Sequence, residues 1–519
     1  MTPFSTCHLL LCLAVLGPSI SVSDTTQQQV DPAPPQFFPK PPTLLQPLPA
    51  KHPQCFCSGN PHLLQENAIV SDWPCFLGPS HDGISPETKI NDYLDQPSPG
   101  QAYPIPLWSV TKGESYAAPS IKNDLLILFH RIQDNEVIEC LAATNGDLFW
   151  SYRYPTTYRD RFNYLNGPRA APAIDEDRVY TCGAQGMLHC FDLNTGHLYW
   201  QRNLLKEFEA DEGFFGFTPS PLIEKGMLII NLGGKRGGTA VAFDKYRGTL
   251  KWICDDQWDR SYATPVISTM HGKRILFVFA GGMSEPPVGG LLGLDPESGK
   301  IHFRQPWRSP RYFSANASSP VVSGNRVFVS SSYDIYGAMM EIQPDLTATF
   351  AYTTRNYASH WMTPILRNGY LYGFFNNILV CMEWQTGNLV WKQIVKLGGN
   401  NNEPDSQKSQ PGRKFGADQY REPPGSKGFG FGSLIWADNR FICLGETGLL
   451  AWLDLSPKGC RIISSCRLFS AGQTWTAPVL SRGLLYINQN LPSQENQPRL
   501  LCYDIRTIST RATSRSEKR

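Results

Sequence analysis

A turn-and-aromatic unit recurs along this chain at intervals of roughly 50 residues, and no other feature restricts the fold as tightly. Five copies align: Cys140-Leu-Ala-Ala-Thr-Asn-Gly-Asp-Leu-Phe-Trp150, Cys190-Phe-Asp-Leu-Asn-Thr-Gly-His-Leu-Tyr-Trp200, and their counterparts ending at Trp252, Phe303 and Trp391. Each begins at an apolar strand end, passes a polar turn with a glycine, and closes on an alternating strand that ends in a large aromatic. Asp or Asn in the turn can bond its own backbone, and glycine supplies the positive φ that closes a hairpin. The terminal aromatic is too large to leave in water, so it is expected to pack between neighbouring units.

A second element falls half a repeat away, where small or aromatic residues precede a proline that opens a strand. It begins at Tyr116, Arg169, Thr218, Tyr262, Asn316, Trp361 and Trp475, and Gly430-Phe-Gly-Ser-Leu434 takes the same place without proline. Eight openings predict eight blades. The last repeat stops after Leu500-Leu-Cys-Tyr-Asp504, one strand short, while Pro106-Leu-Trp-Ser-Val110 precedes the first opening and matches an outermost strand. The fold class that follows is all-β, an eight-bladed β-propeller of four-stranded antiparallel blades, with the last blade closed by an N-terminal strand. Such closure removes the open edge of a ring, which a linear β-solenoid would not need.

Lys and Arg exceed Asp and Glu by 47 to 45, so charge makes no case for a nucleic-acid or polybasic membrane surface. Leu9 to Leu16 reads as the apolar core of an export signal spanning 1–23, with Ser21-Val-Ser23 as a small-residue cleavage site. No later stretch reaches the ~20 apolar residues that span a bilayer, which predicts an exported chain, periplasmic or secreted, without a transmembrane segment. Residues 24–71 read as a Pro-rich tether, partly disordered, followed by a cysteine-containing segment. The propeller then occupies 72–505, with a long loop at 397–427 and a disordered basic tail at 506–519. Disulfides are expected within the groups Cys55, Cys57, Cys75 and Cys460, Cys466 if the compartment oxidises thiols. Cys140, Cys190, Cys381 and Cys502 recur at one repeat position and read instead as small core residues. Gly233 to Gly238 lies inside a β repeat and reads as a hairpin insertion rather than a phosphate loop, and no metal site is read from the spacings.

The turn pattern Asp-x-x-Thr-Gly-x-x-x-Trp resembles the tryptophan-docking repeat of the pyrroloquinoline-quinone-like (PQQ-like) propeller family. The segment Asp72-Trp-Pro-Cys-Phe-Leu-Gly-Pro-Ser-His-Asp-Gly-Ile-Ser-Pro86 resembles the opening of exported repeat proteins of planctomycete type. The resemblance covers 72–505. It implies one of two functions, since this repeat builds both quinone-dependent dehydrogenases and a lipoprotein of the outer-membrane barrel assembly machinery without a catalytic site. In the dehydrogenases the quinone lies in the central funnel between a tryptophan and an adjacent-cysteine disulfide, with calcium polarising it and an Asp as base. This chain has no Cys-Cys pair and no Cys-x-x-Cys-His for covalent haem.

Innermost strands line a propeller channel, so the openings place Tyr116, Arg169, Phe217, Tyr262, Asn316, His360, Phe431 and Trp475 at one mouth. Arg159, Arg161 and Arg169 could grip carboxylates of an anionic cofactor as a fork. Asp160 and His360 are the candidate bases, while Tyr262, Asn316 and Trp475 complete a possible cofactor set. Each also has a structural reading: surface ion pairs for Arg and Asp, a bonded structural imidazole for His360, backbone satisfaction for Asn and Tyr. Asn316-Ala-Ser318 fits a glycosylation acceptor, but its place at a strand opening makes that a coincidence of sequence. The function expected is a binding or scaffold module for a protein or glycan partner. The alternative is a PQQ-dependent alcohol or sugar dehydrogenase holding quinone and Ca2+ in the funnel.

Overall fold

The computed structural model describes residues 33–39, 47–95, 97, 99–233, 238–256, 258–282, 284–396, 428–492 and 497–508. The predicted leader at 1–23 and the loop at 397–427 lie outside the described residues, as does the tail beyond 508. The glycine-rich hairpin insertion lies outside them at 234–237.

Eight antiparallel sheets form the ring. Blades 1 to 7 occupy 120–155, 173–203, 222–253, 266–306, 321–354, 365–393 and 433–467. Blade 8 takes three strands from 479–504 and its outermost strand, Trp108–Thr111, from the N-terminal side, with Trp108 opposite Cys502. Every predicted opening leads directly into an innermost strand, the first being Ser120–Lys122.

One size rule explains the repeat. The bulky aromatic on each outer strand lies opposite a small residue on the strand inside it: Trp150 faces Cys140, Trp200 faces Cys190, Trp252 faces Ala242, Phe303 faces Gly293 and Trp391 faces Cys381. The register then shifts by a bulge immediately after the small residue, which bends the outer strand towards the next blade. There the indole N–H donates to a turn carbonyl of the neighbour: Trp108 to Ala143 at 2.9 Å, Trp150 to Leu193 at 2.9 Å, Trp252 to Pro296 at 3.0 Å, Trp391 to Ser456 at 2.8 Å. In the first three of these joints the ring covers the turn glycine three residues on. A Cβ on Gly196 would lie 2.6 Å from the Trp150 ring, so only hydrogen fits there. Blade 7 inverts the sizes, with Trp452 inside and Ser464 opposite, which is why its aromatic is missing from the sequence repeat.

Three expectations need correction. The described part of the Pro-rich segment is no free tether. Gln36–Phe37 pairs with the outer strand of blade 2, Ala50 bridges to Leu148 of blade 1, and Cys55–Cys57 adds a strand to blade 8. The segment therefore wraps three blades and caps edges that would otherwise be open. Its composition hides this because edge pairing uses backbone groups, not an apolar side-chain pattern. Nor do the cysteines pair: all twelve described are free thiols. Cys460 and Cys466 lie on one strand, Gly459–Arg467, and six residues at ~3.3 Å each exceed disulfide reach. Cys140, Cys190, Cys381 and Cys502 are fully buried, as their repeat position predicts. The predicted tail starts too early, because Arg506 is buried and donates to the carbonyls of Arg482 and His62.

Candidate functional site

The segment 71–87, which carries the Trp-Pro and Asp-Gly motifs, crosses the channel end away from the openings. Trp73 exchanges backbone hydrogen bonds with Ile121 of blade 1, and Ile174 of blade 2 donates to the Pro74 carbonyl. Trp436 of blade 7 exchanges bonds with Gly83 and Ser85. Glu87 accepts from the backbone N–H of Ser71, Arg482 and Gly483, tying in blade 8. The segment thereby borders the central cavity at that end, an aromatic cup whose lining includes its Phe76.

The cup has a volume of about 200 Å³ and joins a smaller chamber of about 90 Å³ against Trp73 and Leu77. Its wall is aromatic. Tyr116 stacks on Trp475 with ring centres 5.4 Å apart, and Tyr164 meets Trp475 edge-on at 5.3 Å. Trp361 lies 4.9 Å from Trp475, and Phe215 packs on Tyr262 at 5.3 Å. Three of these rings are held by a polar anchor: Trp475 Nε1 donates to Glu446 at 3.0 Å, Tyr116 donates to Gln473, and Tyr262 Oη accepts from the Phe214 N–H at 2.7 Å.

Arg169 borders the cup, lies over the Tyr116 ring and donates from Nη2 to Asp160 Oδ2 at 2.7 Å. Asp160 is enclosed by its own loop. Oδ1 accepts from the N–H of Phe162 and Tyr164, and Oδ2 accepts in addition from the Tyr158 hydroxyl. With its acceptor sites filled, this carboxylate organises the 158–169 loop and has no lone pair left for a substrate proton. His360 lines the cup with Nε2 3.2 Å from Asn376 Oδ1, and burial pushes its imidazole down to about 4. It is neutral at ordinary pH, far below the range that suits a general base near pH 7.

The remaining sequence candidates separate. Tyr262 and Trp475 line the cup with Tyr116, Arg169 and His360. Arg159 is exposed and pairs with Asp134 at 2.8 Å, and Arg161 is half-exposed on the outer side of the same loop. Asn316 is buried behind the wall, its Nδ2 donating to Ala280 and Trp307 carbonyls at 2.7 and 3.2 Å, so the glycosylation acceptor is inaccessible. Phe217 and Phe431 are core residues. Sequence reasoning missed Phe76, Tyr164, Phe215, Tyr333 and Trp361 as lining. Trp361 directly follows His360 in its opening, and Tyr164 sits within the arginine-rich flank, so widening each opening by a few residues would have found both.

A protein-family model described as outer membrane protein assembly factor BamB matches residues 133–393. Among solved structures, BamB from Moraxella catarrhalis is similar at 13% identity and TM-score 0.51, covering 76% of this chain and 98% of that one. The quinohemoprotein alcohol dehydrogenase from Comamonas testosteroni is similar at 13% identity and TM-score 0.54, covering 85% and 81%. At such identities these likenesses show the shared propeller fold. No curated protein sequence matches the chain significantly.

The described lining does not fit the cation-assisted quinone arrangement of the dehydrogenases. Asp160 is saturated, Asn316 faces away, and among the described residues no three His, Cys, Asp or Glu side chains converge as metal ligands.

Proposed function

The chain belongs to the family of outer membrane protein assembly factor BamB, PQQ-like repeat propellers, and we propose that it acts as an exported binding module for a protein partner. The observation that carries this reading is the mouth itself: an aromatic cup beside an exposed aromatic rim. Phe162, Tyr312 and Phe313 are 45%, 38% and 68% exposed. They join through Phe214, whose ring lies 5.6 Å from Phe313 and 5.9 Å from Tyr312. Contiguous exposed rings beside a concave apolar site mark a surface that gains by being covered. No helix among the described residues is long and apolar enough to cross a membrane. Seven of the twelve described thiols (Cys140, Cys182, Cys190, Cys254, Cys381, Cys443 and Cys502) are fully buried, and such thiols stay inert even where the surroundings oxidise.

The competing reading, a PQQ-dependent alcohol or sugar dehydrogenase, has no observation in its favour beyond the fold. Both readings are tested by placing a photoactivatable p-benzoylphenylalanine at Phe313 on the rim and, separately, at Lys273 on the opposite face. Irradiation of cells producing the protein is expected to give a discrete protein adduct from 313 and none from 273. Equal adducts from both positions, or none from either, would refute protein binding at the mouth. Saturable binding of pyrroloquinoline quinone with calcium would support the enzyme instead.

A further inference from the structure

The cup is small, flat-walled and electrically neutral, and these properties select among occupants. Even with the adjoining ~90 Å³ chamber, its ~200 Å³ only reaches the lower edge of the roughly 300–1,000 Å³ of pockets that enclose drug-sized ligands or cofactors, so a group as small as a single ring suits it. Its walls are ring faces and edges, in the Tyr116–Trp475 stack, the Tyr164 edge and the Phe215–Tyr262 pair. The charge on Arg169 is offset at 2.7 Å by Asp160, whose side chain is wholly buried. The paired charge leaves nothing to draw a polyanion, and the Arg169 guanidinium already lies 5.1 Å over the Tyr116 ring, where it repels a second cation.

Hydrogen-bond accounting separates the neutral rings. Ser220 Oγ accepts from the Ala171 N–H at 2.9 Å, and Thr264 Oγ1 accepts from the Ser220 N–H at 3.1 Å. Two donors bordering the cup, Arg169 Nη1 and Trp361 Nε1, are buried without a hydrogen-bond partner among the described residues. A pyranose brings several hydroxyl hydrogens that need acceptors, whereas the free groups here, the Ser220 and Thr264 O–H included, are chiefly donors, so part of its hydroxyls would go unpaired at ~1–3 kcal/mol each. An aromatic side chain brings one polar atom or none, and its neighbouring backbone carbonyl can accept from either donor.

We propose that the cup is a socket for one aromatic side chain of the partner protein, tyrosine being the best match because its hydroxyl oxygen also accepts. This rests on the protein-binding reading of the mouth. The rest of the partner then lies along the aromatic path that runs from Phe215 in the cup through Phe162, 5.4 Å away, and Phe214 to exposed Phe313. Deeply inserted aromatic anchors commonly dominate the binding energy of such interfaces.

The test uses the mature protein and ligand-observed NMR with N-acetyl-tyrosinamide, N-acetyl-leucinamide and methyl glucoside as probes. Tyrosinamide is expected to bind about tenfold more tightly than leucinamide, as an added aromatic contact and hydrogen bond allow. Ala317→Phe, which fills the cup from its wall, should abolish that binding with the melting temperature unchanged. Trp361→Phe, which keeps a ring but removes the N–H, should weaken it by roughly 2–10-fold and serves also if the first variant does not fold. Equal affinity for leucinamide, or tyrosinamide binding untouched by both variants, overturns the socket. Methyl glucoside binding that Ala317→Phe abolishes also overturns it, in favour of a glycan site. Rim crosslinking at 313 reports separately on protein binding, so the socket can fail while that reading stands.

Discussion

At the residue scale, packing decided the roles that residue type left open. Asp160 and His360 are ionisable and lie where the openings converge, which made them candidate bases; the first is saturated by hydrogen bonds and the second is held neutral by burial. His189 is the stronger case. It is fully buried between Tyr154 and Phe191, and burial pushes its imidazole down to about 3. The folded state therefore refuses a proton that the unfolded chain takes below about pH 6.5. Stability should be complete above that value and fall as pH drops towards 3, with a ceiling for His189 on the order of 5 kcal/mol. Glu139 acts in a lower window. Burial alone would raise it, but the His130 and His52 imidazoles, 3.2 and 3.5 Å from its carboxylate, outweigh burial and hold it at about 2, so its contribution is lost only between about pH 4.5 and 2. Melting temperatures between pH 7.5 and 5 should thus decline, and His189→Leu should flatten the decline. Parallel slopes for the two proteins would contradict the assignment.

At the element scale, most of the architecture was legible because the repeat fixes turn, small residue and aromatic in one register. The sequence aligned Cys140 with Cys190 and Trp150 with Trp200; only the structure revealed that these pairs face each other and complement in size. Blade 7 was harder to read since Trp452 and Ser464 satisfy the same volume rule in reverse. The Gln36–Phe37 edge strand was invisible, because pairing there depends on an outer edge that exists only after blade 2 has folded. The docking geometry makes a quantitative prediction. Gly248 and Gly272 both have positive φ, +66° and +74°, but a Cβ on Gly248 would lie 2.6 Å from the Trp200 ring, while one on Gly272 would meet nothing within 4 Å. Gly272→Ala should cost about 1–2 kcal/mol from backbone strain alone. Gly248→Ala should cost a further ~1–3 kcal/mol by lifting the tryptophan off its turn. Chemical denaturation of both variants measures the difference, and equal losses would mean that docking contributes nothing.

At the scale of the whole molecule, ring closure uses the same joint as every internal blade contact. Trp108, fully buried, pairs opposite Cys502 and docks on the blade 1 turn through Ala143, so the two ends of the ring meet by an ordinary blade interface. Trp108→Ala should therefore lower global stability by about 3–5 kcal/mol, read as a shifted midpoint of one cooperative denaturation curve. A separate early transition confined to blade 8 would show instead that closure is local. The sequence by itself determined the propeller, its eight blades and the closing strand, because those follow from short-range turn chemistry and a period that repeats along the chain. It also placed Tyr116, Arg169, Tyr262, His360 and Trp475 at one mouth, since each occupies the same phase of the repeat. The tertiary structure alone decided that residues 71–87 bind to the ring and put Phe76 into the cup, that Arg159 and Asn316 stay out of it, and that Arg169 enters it already paired with Asp160. Those outcomes depend on which distant backbone and side-chain groups meet once the ring has closed, and no local pattern encodes them.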